Sequence, residues 1–241
     1  MTAGNGHVSM RYRHIYLLLA LLLLLMLRPF IDAQVMGLTL VDLLLTLTLV
    51  TAALATTEQP FQRITVIGLV GLTMGIRIAT GDTSELIWRM TSAGITAAFL
   101  GCVTVAVLRD VFLRSSDVST DTICGALSGY LLLGFLWSFA YAMLELAVPG
   151  SFDFSRSIDF APGNAEFDRF IGFSFITLTT LGYGNIVPTT HQGDALASGE
   201  ALVGQVYLTV LVARLVALNL QQRFMVGVGS NGVVEQHEDD A

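Results

Sequence analysis

Seven residues, Thr179-Thr180-Leu181-Gly182-Tyr183-Gly184-Asn185, limit what this chain can fold into more than any other stretch. They follow a short apolar, aromatic run, Phe170 to Leu178, and precede Pro188 and a long apolar segment from about Ala195 to Leu220. That order predicts a half-helix, a loop and a spanning helix. Glycine weakens a helix and leaves backbone carbonyls free to point elsewhere, and irregular backbone at membrane depth must line water or protein. When alternate residues take positive φ, which side chains with a Cβ resist, successive carbonyls face one axis. Four copies meeting on such an axis would stack the carbonyls of Thr180, Leu181, Gly182 and Tyr183 and the Thr180 hydroxyl into oxygen rings. Rings of that kind replace the hydration shell of a dehydrated cation.

Composition agrees. Of 241 residues 54% are hydrophobic and only 13% charged, with a mean hydropathy of +0.70, whereas a soluble domain carries about 25% charged residues. The chain therefore belongs to the membrane class. All basic residues are arginine, and a formal charge of −7 without a basic stripe excludes a nucleic-acid partner. No Ser-His-Asp set, metal cluster or carboxylate pair stands in a pocket-like context, so neither an enzyme nor a cofactor is expected.

At residues 179–185 the chain resembles the potassium-channel pore superfamily, whose filter reads Thr-Val/Leu/Ile-Gly-Tyr-Gly-Asp/Asn. Around it, Phe167 to Thr180 resembles the pore helix and Ala195 to Gln222 the inner helix, and Gly204 stands where the superfamily commonly has a gating hinge. The resemblance implies an all-α integral membrane protein with six transmembrane helices, a re-entrant pore helix and filter loop between the fifth and sixth, and a homotetrameric pore in the lipid bilayer. The permeant K+ would bind at Thr180, Leu181, Gly182, Tyr183 and Gly184. Thr179, Asn185, Phe173, Phe175 and Glu145 would support that filter. Two positions depart from the pattern. Asn185 replaces the aspartate of many members, which puts carboxylate bracing of the outer filter in question. Phe170, Phe173 and Phe175 stand where many members place tryptophans; they pack but donate no indole hydrogen bond.

The divisions expected are a four-helix transmembrane block with its connector over 1–119, the pore domain over 120–226, and a short acidic, disordered tail over 227–241. Ile15 to Leu27 is a leucine run, short for a span. It is read as a retained helix rather than a signal peptide, because Arg28 directly behind it is a poor cleavage context. The second and third spans run over about 35–56 and 64–79, the fourth over about 86–107. Asp42, Arg77 and Arg89 are intramembrane charges, read as a structural ion pair or interfacial snorkelling. The fourth span lacks the arginine ladder of a voltage sensor.

The connector Arg109 to Asp121 reads equally as an interfacial helix or a solvated loop. Gly125, Gly129 and Gly134 permit close helix approach in span five, and Glu145 near its end could brace the pore loop. In the inner helix Glu200, Gln205 and Arg214 should face the pore, a neighbouring subunit or an interface. Arg214 should point outward towards Asp117 or Asp121 and so tie an inner gate to the first half. Gly227, Gly229 and Gly232 fit a dinucleotide fingerprint by spacing but not by context. The whole reads as a multi-pass protein of the cell (plasma or inner) membrane with both termini cytoplasmic, conducting potassium passively and gated at the inner helix. The alternatives are a weakly selective cation channel and a non-conducting or regulatory pore-family subunit.

Overall fold

A run of leucines carries no face of its own; neighbours assign one. In the computed structural model, which describes residues 13–27, 71, 86–114, 119–155 and 165–238, the leucine run forms helix α1, Arg13–Leu27. Leu17, Leu21 and Leu24, spaced as one helical stripe, are almost fully buried, while Leu19, Leu23 and Met26 are exposed. Their burial partners are helix α2, Leu86–Arg109, and helix α3, Thr120–Ala147. Phe99, Leu100, Val103, Val107 and Val111 of α2 and its extension join Ala126, Leu132 and Phe135 of α3 in the same core.

The small residues of α3 set how closely these helices approach. A Cβ on Gly125 would lie 2.8 Å from Val111 Cγ2 and 3.1 Å from the His14 ring, and one on Gly129 would lie 2.9 Å from Leu108 Cδ2. The expected role of Gly125 and Gly129 in close packing is thus realised, Gly125 against α1 and the extension of α2, and Gly129 against α2 and also the Tyr207 hydroxyl, 3.1 Å from such a Cβ. Its start is set by Ser119, whose Oγ accepts from the Thr122 amide at 3.1 Å, with Asp121 in the first turn where the helix dipole favours it. Pro149-Gly150, with Gly150 at φ +83°, ends it.

Beyond α3 the chain forms strand β1, Phe152–Asp153, the 14-residue helix α4, Ala165–Leu178, the 179–185 loop, strand β2, Val187–Pro188, and the long helix α5, His191–Glu238. β1 and β2 pair antiparallel, Phe152 opposite Pro188 and Asp153 opposite Val187. Half-helix, loop and long helix follow one another as the glycines and the apolar lengths require.

Among the described residues three helices are long and apolar enough to cross a membrane, Ala93–Leu113, Thr120–Ala147 and His191–Gln221; His14–Met26 and Arg169–Leu178 are shorter apolar helices. The second expected span and, apart from Gly71, the third lie outside the described residues, with Asp42 and Arg77, as do Asp117 and the side chain of Arg89. Asp110–Arg114 of the connector is π-helical and continues α2 directly, with Val111 buried and Leu113 exposed. α5 differs from expectation at its far end: it runs to Glu238, through most of the stretch expected as a disordered tail from 227. Extending a helix already nucleated adds a hydrogen bond per residue without a new nucleation cost.

Candidate functional site

The 179–185 loop leaves α4 through a tightened last turn. Thr180 N donates to Thr177 O at 2.9 Å and Leu181 N to Ile176 O at 2.9 Å, so the final carbonyls of α4 are partly capped by the loop's own amides. The backbone then alternates. Thr180, Gly182 and Gly184 have φ of +56°, +63° and +70°, and the residues between them do not. This is the alternation that turns successive carbonyls towards one side, and two of its three positions carry glycine as the sterics demand. Thr180 adopts it with a Cβ, at a cost of about 1–2 kcal/mol. Leu181 and Tyr183 are exposed on the described chain.

The junction between α4 and the loop is held from two sides. The Leu178 carbonyl accepts from Tyr130 Oη of α3 at 3.0 Å. On the other side α5 comes so close at Gly204 that an added Cβ would lie 2.4 Å from that same carbonyl oxygen. One residue on, Gln205 Nε2 reaches Thr180 Oγ1 at 3.4 Å. Gly204, expected as a hinge, therefore sits in an unbroken helix where its lack of a side chain lets α5 touch the backbone that feeds the loop. Thr179 Oγ1 turns back to the Phe175 carbonyl at 2.6 Å.

The phenylalanines expected to flank the loop separate into two groups. Phe170 and Phe173 pack with Tyr141 and Phe152 in a second apolar cluster, the Tyr141 and Phe173 ring centroids 4.9 Å apart and edge to face. Phe175 instead meets Phe135 at 5.4 Å and fills the space above Gly134, where a Cβ would come within 2.7 Å of its ring. Both groups belong to one chain, so α4 is wedged against α3 by rings.

On the far side of the loop the bracing runs through backbone. Glu145, at the end of α3, accepts from the Gly150 amide at 2.7 Å and from the Phe152 amide at 3.2 Å. These amides lead into β1, and β1 pairs with β2 two residues past Asn185. Thr189 N and Oγ1 add bonds to the Ser151 and Gly150 carbonyls at 2.8 and 2.5 Å. Asn185 lines a hollow of about 260 Å³ with Gly184, Val187, Thr189, Asp153 and Ser155. Glu145 thus holds the strand that holds the outer end of the loop. Its replacement by alanine strands two amides, at about 1–3 kcal/mol for each that finds no other partner. Glu145→Ala is expected to lower the thermal midpoint of the purified protein, and Glu145→Gln, which keeps one acceptor, to lower it less.

At the opposite end of α5, Arg214 Nη1 donates to the Phe112 carbonyl, and its guanidinium lies 5.5 Å over the Phe112 ring. Of the connector residues expected near it, Asp117 lies outside the described residues; a contact that is seen is the one with Phe112. Asp121 is engaged elsewhere: its carboxylate accepts from the His14 amide at 3.0 Å and lies 2.7 Å from His14 Nδ1. α1, the connector and α5 therefore meet at one level, with Tyr207 Oη donating to the Ala126 carbonyl nearby at 2.5 Å.

A short half-helix ending in a loop of alternating handedness is thus clasped between two long apolar helices. Residues 122–221 match the ion-channel family model. No curated protein and no solved structure matches the chain. The matched stretch begins at the start of α3 and ends within α5, so the similarity to an ion-channel domain takes in every element around the loop.

Two residues of the pore domain escaped sequence reasoning. Tyr130 gave no signal, since an aromatic in an apolar helix looks like packing. Glu200 gave one, a carboxylate in an apolar helix, but not its direction. It was expected to face the pore, a neighbour or an interface; it is wholly buried within its own subunit, bonded to Tyr141 of α3 and Ser174 of α4. A buried polar group turns to whatever donors its own fold offers.

Proposed function

We propose that four copies of this chain surround one axis and conduct potassium selectively and passively through a filter of backbone carbonyls contributed by Thr180, Leu181, Gly182, Tyr183 and Gly184. The observation that carries the reading is the alternation of positive φ at Thr180, Gly182 and Gly184 within a Thr-Leu-Gly-Tyr-Gly sequence. In such a conformation oxygens rather than side chains line the path, and their number and dipole strength favour a dehydrated potassium ion. The partial negative end of α4 points into the same path. One loop per chain requires four chains to close a ring, and the exposed apolar surface of α5, including Leu202, Val206 and Val210, is what neighbouring subunits and lipid would cover.

Glu145, through β1 and β2, does the outer bracing that an aspartate after the filter does in other members, so Asn185 is free to be uncharged. Phe173, Phe175 and Thr179 fix the pore helix behind the filter. At the inner end Arg214 couples the gate-forming part of α5 to the connector through Phe112, and α1 joins that level through His14. The leucine helix packs as a retained part of the subunit. With the filter near the outer face of the cell membrane, the His14 end of α1 and the far end of α5 lie on the cytoplasmic side.

The test is the reversal potential of the purified protein in a planar bilayer with potassium on one side and sodium on the other. A value close to the potassium limit is expected. Reversal near zero with robust current identifies a weakly selective cation channel, and a purified complex that carries no current in either solution points to a regulatory pore-family subunit.

A further inference from the structure

Glu200 is the one carboxylate among the described residues with no solvent exposure, and it stands where three helices meet behind the loop. Three short contacts join four groups there. Tyr141 Oη lies 2.5 Å from Glu200 Oε2, Glu200 Oε1 lies 2.5 Å from Ser174 Oγ, and Ser174 Oγ lies 2.7 Å from the Gly134 carbonyl oxygen. Each contact needs one hydrogen. Tyrosine and serine have one hydroxyl hydrogen each, and a carbonyl has none. If Tyr141 donates to the carboxyl and Ser174 to Gly134, the hydrogen between Oε1 and Ser174 comes from Glu200 itself.

The placement also has a register. Glu200 faces Ser174, and Gly204, one turn further along α5, faces Leu178, one turn further along α4. On the other flank Tyr141 reaches Glu200, the Gly134 carbonyl reaches Ser174, and Tyr130 reaches the Leu178 carbonyl. α4 is held at two levels, by side-chain hydrogen bonds at Ser174 and by backbone contact at Leu178, and the lower level feeds directly into Thr180.

We propose that Glu200, in its acid form, is a positioning residue for ion selection: it donates to Ser174, accepts from Tyr141, and so fixes the pore helix between its two flanking helices at the height from which the filter loop departs. The inference rests on the potassium-channel reading above. Glutamine reproduces this pattern, since its amide nitrogen donates where the acid did and its oxygen accepts from Tyr141. Alanine leaves Tyr141 and Ser174 facing an empty space.

The test compares wild type, Glu200→Gln, Glu200→Ala and Ser174→Ala, each checked as an intact assembly by native mass, by reversal potential in the potassium–sodium bilayer. Glu200→Gln is expected to keep the wild-type permeability ratio. Glu200→Ala is expected to reduce it by about tenfold, the scale of one lost buried hydrogen bond in each subunit, and Ser174→Ala, which keeps the carboxyl, to reduce it less. In the infrared difference spectrum, wild type minus Glu200→Gln, a carboxylic-acid carbonyl band is expected. A wild-type ratio in assembled Ser174→Ala and Glu200→Ala overturns the positioning role. A Glu200→Gln as impaired as Glu200→Ala, or an ionised-carboxylate band in place of the acid one, overturns the acid form. A wild-type protein that reverses near zero defeats the potassium reading instead, and the infrared band then decides the hydrogen assignment by itself.

Discussion

Gly204→Ala is expected to move the reversal potential in the potassium–sodium bilayer from near the potassium limit towards zero, or to leave no assembled channel. The new methyl would lie 2.4 Å from the Leu178 carbonyl oxygen and 3.1 Å from Leu178 Cδ1, distances that demand movement. The leucine side chain can yield, but the oxygen is backbone, already bonded to Tyr130, and two residues from the start of the filter. Overpacking of this kind costs about 1–3 kcal/mol in a single core, and the proposed tetramer would repeat it four times. The hinge expected at this position makes a different forecast: alanine would stiffen the helix, slow or bias opening, and leave the permeability ratio untouched. Recording reversal potential and opening kinetics on the same variant separates the two. Altered kinetics with wild-type selectivity would restore the hinge and demote the contact with Leu178 to incidental packing.

Gly182→Ala is expected to abolish selectivity without any clash. Nothing lies within 4 Å of the Cβ it would add on the described chain, so the effect is confined to the backbone at φ +63°. Holding an alanine in the left-handed region costs about 1–2 kcal/mol per copy. The loop escapes that cost by rotating to negative φ, and the rotation swings the adjoining peptide carbonyls off the axis. In the proposed tetramer four subunits share one ring of oxygens, so a rotated carbonyl in any of them would spoil the coordination of the ion. The expected measurement is a reversal potential near zero, or loss of current, from a complex whose mass is unchanged. Wild-type selectivity in this variant would show that the oxygens of this loop do not discriminate between the ions.

The pore domain was legible because its constraints are local. Gly182 and Gly184 are the residues that backbone alternation requires, and the alternation is present with Thr180 as its third member. The close approaches at Gly125, Gly129 and Gly134 follow from the same absence of a Cβ. The 14-residue α4 and the long α5 were visible in the lengths of their apolar runs. What sequence reasoning placed less well are the polar side chains inside apolar helices. Glu200 and Arg214 are single charged residues in long hydrophobic stretches, and their partners, Tyr141, Ser174 and Phe112, stand 26 to 102 positions away in the chain. No spacing rule reaches that far. Phe173 and Phe175, expected as filter support, pack against different neighbours, because whether two rings two positions apart share a neighbour depends on which helices flank them.

Backbone sterics and hydropathy act over a few residues, so the amino-acid sequence alone determined that this chain enters a membrane, that a half-helix precedes a loop of alternating handedness, and that a long helix follows. The stripe of leucines that α1 buries, the glycine beneath Leu178, the strand by which Glu145 steadies the loop and the direction in which Glu200 turns were decided only in the tertiary structure. In an apolar helix every face is soluble in lipid, and a buried polar group takes whatever partner the neighbouring helices present. Those choices are made between elements, and no single segment contains them.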